Sequence, residues 1–165
     1  MGLWEVTGCR ETDVQTGEKG RTTLTWLETG DKLAARWYEE TLEPLSPAAR
    51  IVARFPDGRA AAVASTYGKG KTLMLGSFVS AAYQTTPTAE VERFYRSLVD
   101  WAGVQLPAVV ERGGVEVRYL ESGARTLVFA FNHARQPVDA AFRIKGRRLE
   151  RHLEAQDVWF TTLPE

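Results

Sequence analysis

The stretch from Arg50 to Phe78 does most to restrict the fold. Ile51, Ala53 and Phe55 alternate with Val52 and Arg54, the period of a strand with one face turned inward. Pro56-Asp57-Gly58 follows, a turn built from a fixed φ, a side chain that bonds its own backbone, and a residue free to take positive φ. The return run, Arg59 to Ser65, is small and apolar on both faces, as a strand covered from both sides requires. A second turn at Gly68-Lys69-Gly70 leads into Thr72–Phe78, an almost unbroken apolar run expected as a central, buried strand. A chain that folds back twice within thirty residues is committed to sheet.

Around this nucleus the pattern is uneven. Residues 11–20 are polar and turn-rich and read as a loop, whereas Thr22–Leu27 and Trp37–Leu42 are β-branched or aromatic and read as strands. Pro44 and Pro47 close the second of these. Beyond Phe78 the period changes. Thr86-Pro87 supplies a cap and a first-turn proline, and Val91, Phe94, Tyr95, Leu98 and Trp101 recur at three and four, predicting one amphipathic helix over about 87–102 with Gly103 as its terminator. Gln105-Leu106-Pro107 marks a boundary. Val115–Tyr119, Thr126–Phe131, Val138–Ile144 and Asp157–Thr162 are then strands, and Leu149–Leu153 fits strand or short helix. The expected fold is α+β: a mixed or antiparallel sheet with one long helix in residues 1–106, then a small antiparallel β domain in 107–165.

Charge and cysteine content narrow the function. The 165 residues carry 21 basic and 21 acidic side chains, spread evenly over the chain, which argues against nucleic-acid and membrane partners that need a basic patch. The single cysteine, Cys9, excludes an internal disulfide framework and a Cys-based zinc site, which suits the cytoplasm. No apolar run approaches a membrane span and no export signal opens the sequence.

Four constellations suggest chemistry and each has a plainer explanation. Ser65 to Thr72 ends in Gly70-Lys71-Thr72 like a phosphate loop, but Ser65 stands where the first glycine belongs and Thr72 opens a strand instead of a helix. It is a hairpin turn with solvated lysines. Cys9 with His152 and Glu154 has the composition of a nucleophilic set, yet Thr7-Gly8-Cys9-Arg10-Glu11 lacks the flanking glycines of a nucleophile elbow. Arg143, Lys145, Arg147, Arg148 and Arg151 form a basic run on what alternation makes a solvated strand face. Glu39 and Glu40 are adjacent and point to opposite faces, and Glu11 with Asp13 sits in polar surroundings that would not raise a pKa. No catalytic residue, metal ligand or cofactor site is expected. Of the tryptophans, Trp101 falls on the helix stripe, while Trp4, Trp26 and Trp37 lie in the poorly patterned N-terminal part as candidates for an interface or a sugar-stacking surface.

Three segments together resemble a known family. Gly8-Cys9-Arg10-Glu11, the run from Arg59 through Gly68-Lys69-Gly70-Lys71 to Gly76-Ser77, and Leu98 to Val104 with Trp101 and Gly103 resemble the later half of the β-galactosidase trimerisation domain of glycoside hydrolase family 42. Val115 to Arg118, Leu127 to Asn132-His133, and Asp157-Val158 resemble the small β domain that ends those enzymes. The resemblance implies three parts in the parent: a catalytic barrel, an amidotransferase-like α/β domain that forms a trimer, and a small β-sandwich. The family's two catalytic glutamates belong to the barrel, so no residue here inherits their roles. It implies a C-terminal piece of a β-galactosidase-like enzyme serving assembly and stability, with other protein surfaces, including further copies, as partners; the alternative is a carbohydrate-binding accessory module.

Overall fold

The computed structural model describes residues 2–164. The chain divides into two compact units, one ending at Val104 and the other beginning at Gln105, each with its own core.

The first unit opens with a short helix, α1 (Leu3–Thr7), followed by β1 (Cys9–Trp26), β2 (Lys32–Pro44), β3 (Arg50–Arg54), β4 (Ala60–Tyr67) and β5 (Gly70–Leu75), then α2 (Val79–Thr85) and α3 (Ala89–Ala102). The strands form one sheet in the order β2-β1-β3-β4-β5, antiparallel at every pairing. There is no mixed sheet among the described residues: three of the four pairings, β1-β2, β3-β4 and β4-β5, join consecutive strands through short reversing turns, and β3 also runs antiparallel to β1. The expected loop over residues 11–20 is the middle of β1. Its polar composition reflects exposure on a two-stranded ribbon with β2, where side chains need no apolar neighbours. Among the described residues the unit has three helices, α1 and α2 besides the expected one at α3. The capping residue of α3 is Thr88, whose hydroxyl accepts the Val91 N–H, two residues later than Thr86-Pro87 suggested.

The run after Lys71 is not a central strand. β5 lies last in the strand order, ends at Leu75, and is half-buried. The central, two-sided position belongs to β4, in which Ala60 to Ser65 are all buried. Small side chains are needed there because the sheet curls until its far strands meet. The Gly76 N–H donates to the Ala61 carbonyl, and the Glu40 N–H donates to the Gly76 carbonyl, both at 2.8 Å. One residue thus stitches β4 to β2. A Cβ at Gly76 would lie 2.1 Å from the Glu40 carbonyl oxygen, so the approach is open only to glycine. Leu24, Leu33, Ala35, Phe55, Val79 and Phe94 lead one core, under α2 and α3, and Cys9, Leu42 and Val63 a smaller one.

The second unit is all strand: β6 (Ala108–Arg112), β7 (Glu116–Ser122), β8 (Arg125–Phe131), β9 (Val138–Ile144), β10 (Arg147–Leu153) and β11 (Val158–Pro164). Leu149 to Leu153, ambiguous in sequence, belongs to β10. Two antiparallel three-stranded sheets, β10-β9-β6 and β11-β8-β7, share one core of Val128, Ala130, Phe142, Ile144 and Leu153 with their neighbours. Strict alternation in β8 sends Thr126, Val128 and Ala130 inward and Leu127, Phe129 and Phe131 outward. Among the described residues, no helix is long and apolar enough to cross a membrane.

Candidate functional site

The three tryptophans singled out from sequence have separate fates. Trp26 is 8% exposed and packs edge-on against Phe94 at 4.9 Å. It is a core residue, because the last turn of β1 is paired with both β2 and β3 beneath α3, and it offers no surface to a sugar or a subunit. Trp4 is exposed on α1. Trp37 is exposed on β2 beside Tyr38, and both rings lean on the exposed Phe78, at 5.2 and 6.4 Å. The backbone explains this display. Pairing between β1 and β2 slips between Thr16 and Arg21, so Trp37 alone faces the four residues Gly17 to Gly20. Trp37 has φ 73°, a left-handed value that costs a bulky side chain about 1–3 kcal/mol. Trp101, expected in the core, is half-buried on α3.

The neighbouring concavity is lined mainly by charged and hydroxyl-bearing residues. An open groove of about 660 Å³ runs past Lys19, Arg21, Thr22 and Glu39. Glu39 accepts from the Thr22 hydroxyl at 2.5 Å and pairs with Arg59, which also holds Asp57. A carboxylate so engaged is a strut between β2 and the β3–β4 turn. The perturbed acid is its neighbour: burial first, and the Glu11 carboxylate second, push Glu40 above the usual carboxylate range. Sequence pairing had matched Glu11 with Asp13 and Glu39 with Glu40. The register that sets Glu40 against Val14 is what brings Glu11 to bear on Glu40, and no local spacing signals it.

The remaining sequence candidates are absorbed by structure. Cys9 is buried, its Sγ 3.6 Å from the Met74 Sδ, and burial pushes its thiol up, away from the reactive thiolate. His152 lies in the other unit, bonded through Nδ1 to Asp139 at 2.8 Å. Lys71 is not simply solvated: its ammonium donates to the Trp101 carbonyl and lies 5.5 Å from that ring, closing the C-terminal end of α3. In the basic run, Arg143 and Arg148 share Glu111 at 2.5 and 2.8 Å, Arg148 also holds Glu150, Lys145 pairs with Glu121, and Arg151 covers the Trp159 ring at 4.5 Å. Three of the five charges, those of Arg143, Lys145 and Arg148, are thus paired with acids. Among the described residues, no group of three acidic, His or Cys side chains could hold a metal ion.

The most distinctive surface was not anticipated. The outward side chains of β7, β8 and β11 form an apolar sheet face: Phe129 and Phe131 near parallel at 6.1 Å, Phe160 at 6.2 Å from Phe129, and the His133 ring 3° from parallel to Phe131 at 5.9 Å. Leu120 and Phe160 are 63% and 65% exposed. At one end the Glu116 carboxylate accepts from Arg118 Nε at 2.6 Å and meets His133 Nε2 at 2.8 Å. His133 is held there by buried Asn132, whose amide donates to the Gln136 and Glu154 carbonyls and whose oxygen accepts the Ala134 N–H.

Comparison with known proteins places this architecture. No protein-family model matches the chain, and no curated protein matches it significantly. Solved structures do. Gan42B, a GH42 β-galactosidase from G. stearothermophilus, superposes with a TM-score of 0.76 at 17% identity, over 99% of this chain and 24% of its own. A catalytic mutant of Gan42B gives 0.75 at 17%, and a β-galactosidase from Bacillus circulans sp. alkalophilus gives 0.71 at 15%, over 97% of this chain and 25% of its own. The chain therefore has the fold of a part of GH42 β-galactosidases, the family its sequence resembles, and spans about a quarter of their length.

Proposed function

We propose that the chain is a non-catalytic assembly and stability module of a β-galactosidase-like glycoside hydrolase, whose catalytic portion would hydrolyse terminal β-D-galactosides. One observation carries this: almost the whole chain matches about a quarter of each of these enzymes. In this reading the first unit is the partial counterpart of the amidotransferase-like trimerisation domain, with α3 as its long amphipathic helix. The second is the small closing β domain.

Assembly has a physical basis in the surface. Leu3, Trp4, Val14, Trp37, Tyr38 and Phe78 are each more than two-fifths exposed, a load of large apolar side chains that isolated domains seldom carry without a partner. Copies would associate through the Trp37–Tyr38–Phe78 cluster toward the family's trimer, and the catalytic barrel would be the other neighbour.

The test has two arms. Sedimentation of the purified chain should show concentration-dependent association that Trp37→Ala weakens. The same protein should hydrolyse a chromogenic β-galactoside no faster than buffer; turnover abolished by Glu11→Gln or Glu40→Gln would overturn the non-catalytic assignment. A second reading, a carbohydrate-binding accessory module, is favoured by the aromatic sheet face of the second unit.

A further inference from the structure

We infer that the outer face of the β11-β8-β7 sheet is a binding platform for a short, uncharged oligosaccharide, with Phe129, Phe131 and Phe160 as its stacking floor and the Glu116–Arg118–His133 cluster as its polar end. The choice of a galactose-based ligand rests on the glycoside-hydrolase reading above; the platform itself rests on the face.

Size selects the class of ligand. Each of the three strands has seven residues, which at ordinary strand spacings gives a footprint of about 14 by 23 Å, roughly 330 Å². That is under half of the ~800 Å² per partner that a stable protein interface buries. Two or three sugar rings cover such a footprint. The aromatic centroids along β8, from Phe129 through Phe131 to His133, are 6.1 and 5.9 Å apart, close to the length of one pyranose, so successive rings of a ligand would meet successive apolar side chains. The apolar C–H faces of sugars are suited to such surfaces.

Charge points the same way. The Glu116 carboxylate is matched by the Arg118 guanidinium, so the polar end presents no net field to attract an anion or a cation. It does present donors. Arg118 gives only Nε–H to Glu116, and its four other N–H groups can reach hydroxyls. Val158, 45% exposed, and Thr162 on β11 border the other side. The design is apolar floor, few polar groups, no charge excess, which is what a neutral polyhydroxylated ligand requires.

The experiment is an amide-shift NMR titration of the full chain with β-1,4-galactotriose to about 10 mM, a range suited to weak stacking sites. Saturable shifts confined to β7, β8 and β11 are expected. Phe160→Ala, at an exposed position that does not endanger folding, should weaken binding at least about fivefold, and Phe160→Tyr should restore it. Trp37→Ala should leave it unchanged. Absence of saturable shifts overturns the inference, as does binding indifferent to Phe160→Ala. Self-association of the chain that Phe160→Ala abolishes also overturns it, since the face would then belong to a second copy. A monomeric chain that binds the trisaccharide ends the assembly reading and keeps this one; an associating chain that binds nothing does the reverse.

Discussion

At the scale of single residues, Gly76 shows how one missing side chain shapes the first unit. Its two backbone hydrogen bonds join β4 to β2, and the Glu40 carbonyl occupies the place where a Cβ would stand. Gly76→Ala must therefore separate those strands or distort them, and we expect a loss of about 2–4 kcal/mol in urea unfolding, in the range of severe backbone clashes. Glu40 makes a pH-dependent contribution. Its folded pKa is raised, so folding is favoured when Glu40 is protonated, and that stability is lost as pH rises from the unfolded value through the folded one. Glu40→Gln should be more stable than wild type at neutral pH, and the gap should close on acidification below the normal carboxylate range. A gap that widens in acid would show that the carboxylate is stabilised in the fold.

At the scale of elements, hairpins were the most legible part of the sequence. Pro56-Asp57-Gly58 and Gly68-Lys69-Gly70 carry their turn chemistry locally, and β3, β4 and β5 follow. What was misplaced depended on distant partners. The run after Lys71 is apolar because it backs a curled sheet, not because it is central, and the polar residues 11–20 pair as a strand because β2 lies alongside. The aromatic face escaped notice for a similar reason: Phe129, Phe131 and Phe160 are unremarkable until the register sets Phe160 against Phe129. Asn132 illustrates an element end that sequence hinted at through Asn132-His133 without revealing its task. Its side chain satisfies two carbonyls and one N–H at the end of β8. Asn132→Ala should cost about 2–3 kcal/mol by leaving those groups unpaired, and should release His133 from its stack on Phe131, visible as a change in imidazole chemical shifts.

At the scale of the whole molecule, the two cores share no residue. Stability should then be a local property. Gly76→Ala is expected to accelerate amide exchange across β1 to β5 while leaving β8 and β9 at their wild-type rates; uniform acceleration in both units would show that they unfold as one. The same independence fits a division of labour in which the first unit supplies protein contacts and the second a ligand platform.

The paired ribbon of β1 and β2 differs along its length in how firmly it is held. One end is pinned by Cys9 and Leu42 in the small core, the other by Leu24, Trp26 and Leu33 in the large one. Between them, residues 12–20 pair with no third strand and are interrupted by the slip at Trp37. On the β2 side Gly76 holds Glu40 and Arg59 holds Glu39, whereas residues 12–20 of β1 have β2 alone as a strand partner, and a strand paired on one side only has little stability of its own. Its amides should exchange with solvent as a fast island between two slow anchors, opening and closing many times during one lifetime of the fold. Trp37, Tyr38 and Phe78 would then sit on the held side of the ribbon, with the compliant stretch of β1 beside them able to adjust to a partner without unfolding anything else.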